Sequence, residues 1–262
     1  LAGELQAARR FGIRVLHDGA TPMRAGIVGI ALSTTARSAD YLPLRHSGMH
    51  SGPQLTVAEA IRALKPLFED ESIEKVGHDL KTEGILLARH GVAVQGIGLD
   101  TMLASYLLDA TRSGHPLEAV VVEHLGYKAL TEEDVCGRGG KAVALVDTPP
   151  DALLTFAGER ADLALQLADR LDPVLAREGL GDVYRTLEKP LIPVLVAIER
   201  AGVRIDGAAL AAPGNDEVRL HTGTYPENLS VLLPSGSADE IDLRGGWNDG
   251  FSQASNNPAA TV

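Results

Sequence analysis

Carboxylate side chains are the groups of this sequence that could hold divalent metal ions. Asp79 and Glu83 lie four residues apart, and Asp18 and Asp162 lie far from them along the chain. Two divalent cations carry four positive charges, so about four acidic ligands are needed to balance them. Such a site requires a fold that gathers acids from distant segments at one point.

Other chemistries find less support in the residue pattern. Cys136 is the only cysteine, which excludes a disulfide framework and a cysteine zinc site. The Gly137-Arg138-Gly139-Gly140-Lys141 run lacks the strand and helix context and the Lys-Ser/Thr ending of a nucleotide-binding loop, so we interpret it as a flexible loop. No common spacing typical of a zinc triad relates His17, His78 and His124.

The elements that must position these groups begin with strands. Residues 26–32 and 41–44 are short apolar runs bounded by Gly, Pro and Ser, which is typical of buried strands. Residues 75–77 and 97–99 are further short strand candidates. Strands that alternate with helical segments predict an α/β fold with a mixed sheet covered by helices.

Several other segments are predicted to be helices. Thr56 followed by Glu59 is a capping-box pattern and predicts a helix start. Residues 80–90 and 102–108 have helical periodicity, and Asp100 precedes the second of them as a candidate helix cap. Two longer helices are predicted at 150–177 and at about 183–200, with Pro190 and Pro193 expected to kink the last one.

The bulk properties are those of a globular protein. The chain has 262 residues, 45% of them hydrophobic and 23% charged, with no apolar segment near the roughly 20 residues that span a bilayer. Glu4, Gln6, Arg9 and Arg10 interrupt any signal-peptide core, so we expect a cytoplasmic protein that is a piece of a longer one. A net charge of -11 disfavours strong binding to a polyanion.

Four segments together resemble the 3′-to-5′ exonuclease (proofreading) domain of bacterial family A DNA polymerases. The first is Pro22-Met23-Arg24-Ala25 with the apolar run and the Tyr41-Leu42-Pro43-Leu44-Arg45-His46 segment that follow it. The second runs from Lys75 to Asp109 and contains Asp100-Thr101-Met102-Leu103-Ala104-Ser105-Tyr106-Leu107-Leu108. The third is Phe156-Ala157-Gly158-Glu159-Arg160-Ala161-Asp162, and the fourth runs from Glu188 to Asp206.

This resemblance implies an RNase H-like fold and three parts of the chain. Residues 1–180 are expected to form the exonuclease domain, and residues 181–212 a helical linker toward a polymerase domain. Residues 213–262 match nothing in the family, and we expect them to be poorly ordered. No polymerase active site is present in the sequence.

The resemblance also implies that several metal ligands have been replaced. In the family the first strand carries Asp-x-Glu, and those positions fall on Arg14 and Leu16. The Asn-x-x-x-Asp motif falls on Asp79 and Glu83, and the Tyr-x-x-x-Asp motif falls on Phe156 and Arg160. Glu83 is thus the one surviving ligand position, and we expect no bound metal. We predict instead that Arg14, Arg160 or both pair with Glu83 or Asp79.

Three functions remain open at this level. The first is an inactive exonuclease-like domain of a DNA polymerase I, serving as a structural or nucleic-acid-guiding platform with weak DNA contact. The second is an active exonuclease that binds Mg²⁺ or Mn²⁺ through Glu83, Asp79, Asp18 and Asp162. The third is a free-standing interaction module whose acidic tail binds a partner. The expected partners are DNA and a polymerase domain, and no cofactor is expected outside the second alternative.

Overall fold

Five strands form a mixed sheet in the computed structural model, which describes residues 1–19, 21–47 and 52–202. The tail 213–262, which was predicted to be poorly ordered, lies outside the described residues. The strands are β1 (Arg10–Asp18), β2 (Gly26–Thr35), β3 (Ser38–Pro43), β4 (Glu74–Gly77) and β5 (Ile97–Asp100). Their order is β3-β2-β1-β4-β5. β2 pairs antiparallel with β1 and β3, whereas β4 pairs parallel with β1 and β5.

Helices cover both faces of this sheet, which confirms the predicted mixed α/β architecture. They are α1 (Ala2–Ala8), α2 (Val57–Phe68), α3 (Leu80–Ala88), α4 (Thr101–Leu108), α5 (Leu117–Leu125), α6 (Glu132–Cys136), α7 (Pro150–Arg177), α8 (Gly181–Val183) and α9 (Lys189–Ala201). None of the described helices is both long enough and apolar enough to cross a membrane.

The alternating side chains of β1 divide the core into two layers. Phe11, Ile13 and Val15 pack in the cluster that includes the buried face of α2, and Leu16 packs on the other side with residues of α7. Gly12 lets β1 and α7 approach closely, because a Cβ at this position would lie 2.1 Å from the Ala161 carbonyl oxygen. The candidate site lies on the α7 side of β1.

Side-chain caps fix the starts of three helices. The predicted capping box is present at α2, where Thr56 Oγ1 accepts the Glu59 N–H at 3.2 Å and Glu59 accepts the Thr56 N–H at 2.9 Å. Asp100 caps α4 as predicted, and it also accepts the Leu80 N–H at 2.6 Å at the start of α3. One buried carboxylate therefore holds the first turns of α3 and α4 together.

The last helical stretch changes its hydrogen-bond pattern before its prolines. Tyr184–Glu188 forms a π-helical segment between α8 and α9, and the Lys189 N–H bonds to the Tyr184 carbonyl, five residues back. Pro190 has no N–H to donate, so one helical hydrogen bond is missing directly after this wider turn. The Tyr184 side chain points at β5, where its hydroxyl bonds to Gly98 O at 2.9 Å and accepts the Asp100 N–H at 2.7 Å.

Candidate functional site

The centre of the candidate site is an ion pair between β1 and α3. Arg14 Nη1 lies 3.1 Å from Glu83 Oε1, which confirms the predicted pairing for this arginine. The second carboxylate oxygen, Oε2, accepts the Val15 N–H at 2.8 Å. β4 pairs with β1 only as far as Gly12, so the Val15 N–H has no strand partner on that side and Glu83 takes its place.

Burial disfavours the ionised form of the Glu83 carboxyl. Glu83 is 2% exposed, and burial raises its pKa to about 7, although Arg14 and the Val15 N–H act in the opposite direction. A carboxylate must be ionised to bind a divalent cation. Near neutral pH this group is therefore both partly protonated and already hydrogen-bonded on its two oxygens.

Two neighbouring positions are apolar. Leu16 and Phe156 are almost completely buried, and they pack in one cluster with Leu153, Ala157 and Ala161 of α7. The resemblance places a carboxylate and a hydroxyl at Leu16 and Phe156, and hydrocarbon occupies both positions here. The cluster excludes water from the space where metal-bound water would be needed.

Arg160 has a different partner from Arg14. Its guanidinium pairs with Glu118 of α5 and lies 4.4 Å from the centre of the Phe156 ring. Arg160 thus contacts neither Glu83 nor Asp79. Glu118 was missed by the sequence analysis, because it lies on a helix that no motif marked. Burial lowers the pKa of Arg160, and the Glu118 carboxylate offsets part of that effect.

Asp79 acts as a backbone cap. Its side chain accepts the Thr82 N–H at 3.3 Å and the Thr82 hydroxyl at 2.6 Å, and its φ of 70° is left-handed. Its own N–H donates to Asp100 at 3.2 Å. This arrangement fixes the direction of α3 and so aims Glu83, four residues later, at β1.

The two acids proposed as replacement ligands are engaged elsewhere. Asp18 pairs with Arg45 and accepts the Gly26 N–H at 2.6 Å, where β1 and β2 meet. Asp162 accepts the Arg37 N–H at 2.8 Å and a Gln166 side-chain N–H at 2.8 Å. The hydrogen bonds of both carboxylates are therefore made with residues other than Glu83.

The residues present do not fit a two-metal centre. Among the residues that the structure describes, no group of three or more His, Cys, Asp and Glu side chains could hold a metal ion. Arg14 and Arg160 add two positive charges where divalent cations would bind, and like charges repel strongly in a poorly hydrated site. His78 shares this environment: burial lowers its pKa to about 4, and both arginines act in the same direction.

The sheet order, the helices on both faces and the centre between β1, α3 and α7 define an α/β fold of the ribonuclease H-like class. Residues 45–166 match the family model described as the ribonuclease H-like domain of DNA polymerase I. DNA polymerase I of Pseudomonas aeruginosa is 36% identical over 190 residues, and that of Rhizobium leguminosarum is 35% identical over 206 residues. The chain therefore carries a domain of the 3′-to-5′ exonuclease type found in DNA polymerase I.

These matches cover only a small part of each relative. The matches cover 71% and 72% of this chain but only 21% and 20% of the two polymerases, so the chain spans about a fifth of their length. A structure described as the POL domain of Pol1 from M. smegmatis in complex with DNA primer-template and dNTP has a TM-score of 0.62 at 25% identity, and the match covers 80% of this chain and 32% of that one.

A second structural neighbour supports the fold alone. The apo form of a nuclease has a TM-score of 0.61 at 19% identity, and the match covers 77% of this chain and 90% of that one. The fold of the described residues is thus found both in a polymerase and in a nuclease.

Proposed function

We propose that this chain is an exonuclease-type domain of a DNA polymerase I that has lost metal-dependent hydrolysis and serves as a structural or nucleic-acid-guiding platform. The observation that carries the proposal is the Arg14–Glu83 pair, which uses the surviving ligand position for an internal contact. Its expected partners are DNA and a polymerase domain, because the relatives are DNA polymerases and one structural neighbour is bound to primer-template. The expected location is the cytoplasm.

The alternative of an active exonuclease with altered ligands is less well supported. It needs Asp18 and Asp162 beside Glu83, and both acids have other partners. The alternative of a free-standing interaction module depends on residues 213–262, which lie outside the described residues. Co-purification of a partner that is lost when these residues are deleted would favour that alternative.

A calorimetric titration of the full chain with Mn²⁺ tests the proposal. We expect no stoichiometric binding, because Glu83 is the one family ligand position that keeps a carboxylate. A variant carrying Arg14→Asp, Leu16→Glu, Glu83→Asp and Arg160→Asp restores four acids and is expected to bind the ion if it folds, which circular dichroism checks. This variant is the positive control for the titration.

An assay of nuclease activity can contradict the proposal. The proposal fails if the wild-type chain degrades single-stranded DNA with Mg²⁺ or Mn²⁺ and Glu83→Ala abolishes that degradation. Degradation that survives Glu83→Ala indicates a contaminating nuclease, and the Mn²⁺ titration then decides.

A further inference from the structure

We draw no further inference here: the strongest candidate, the exposed apolar face of α9 formed by Leu191, Val194 and Ile198, carries none because nothing in the described part of the chain shows what covers it.

Discussion

Glu83 connects two elements through both of its carboxylate oxygens. Its two oxygens bind Arg14 and the Val15 N–H, so it joins α3 to the part of β1 that β4 does not reach. A buried carboxyl is costly when isolated and tolerable when paired. The pairing therefore explains how an acid is tolerated at this buried place.

The raised pKa of Glu83 predicts a pH effect on stability. Its folded-state pKa of about 7 lies above the ordinary value of 4.5, so the unfolded chain releases this proton first. The contribution of protonated Glu83 to the free energy of unfolding is fully present below about pH 4.5 and is lost as the pH rises through 7. Glu83→Gln removes this loss, and we expect urea unfolding to favour the variant by about 2 kcal/mol more at pH 8 than at pH 5.

Glu59→Gln provides a control of opposite sign. Hydrogen bonds from Thr56 lower the pKa of Glu59, so its contribution is present above the ordinary pKa and is lost as the pH falls. If Glu83→Gln and the wild type show the same pH dependence, Glu83 is ionised in the folded protein throughout this range.

Two ion pairs between distant segments differed in how well the sequence predicted them. The Arg14–Glu83 contact was predicted because the family pattern places both residues at one centre. The Arg160–Glu118 contact was missed, since no family motif contains Glu118 and its position follows from how α5 packs on α7. Spacing along a chain carries no information about such a neighbour.

At the scale of elements, Asp100 joins two helices through their first turns. Its carboxylate accepts N–H groups from Asp79, Leu80, Met102 and Leu103. Asp100→Ala leaves these donors without that acceptor in a buried place, and we expect a loss of about 3 kcal/mol in the free energy of unfolding. Chemical denaturation monitored by circular dichroism measures it.

Asp109→Ala is the matched control for this substitution. Asp109 also accepts backbone and hydroxyl hydrogen bonds, from Thr111, but it does so in an exposed turn. Its removal is expected to change stability far less, because water replaces the lost acceptor. Equal losses for the two variants would show that Asp100 holds neither helix.

The close approach of β1 and α7 predicts a second element-scale effect. Gly12→Ala places a methyl group against the backbone of Ala161, and backbone moves less easily than a side chain. We expect a loss of about 3 kcal/mol from this overpacking, measured by thermal or urea unfolding. Gly3→Ala in α1 meets nothing within 4 Å and is expected to cause no loss; a Gly12→Ala chain as stable as Gly3→Ala contradicts the prediction.

The elements themselves were predicted to very different degrees. The helix at 150–177 was predicted with its observed bounds, because its apolar period persists for many turns. α1 and α5 were missed, and β3 begins at Ser38 rather than at the predicted Tyr41. These are short elements, and the structure forms them through packing on β1, β2 and α7 more than through their own pattern.

At the scale of the whole molecule, net charge sets the affinity for DNA. A chain of charge -11 has little electrostatic attraction to phosphates, so we expect single-stranded DNA to bind more weakly than about 100 μM at physiological salt. Fluorescence anisotropy with a labelled oligonucleotide measures this affinity. Tight binding that resists salt would contradict the expectation.

The exposed bases of the glycine-rich run allow a sharper version of this measurement. Arg138 and Lys141 lie in and beside the turn Gly139–Lys141, and charge reversal at both is expected to lower the weak affinity seen at low salt. Arg177→Glu combined with Arg185→Glu, at two exposed bases outside this run, is the control with the same change in net charge. Equal effects of the two changes would mean that DNA is attracted by overall charge and not by this run.

The Tyr184 hydroxyl also bears on how the protein avoids aggregation. β5 is an outer strand of the sheet, and an outer strand with free backbone groups can add a strand from another molecule. Tyr184 occupies the Gly98 carbonyl and the Asp100 N–H. We expect Tyr184→Phe to increase light scattering on mild heating, whereas Tyr127→Phe, at an exposed tyrosine, should not. Tyr184 belongs to the stretch that was predicted to be a linker. That stretch would then prevent the edge of the sheet from pairing with strands of other molecules.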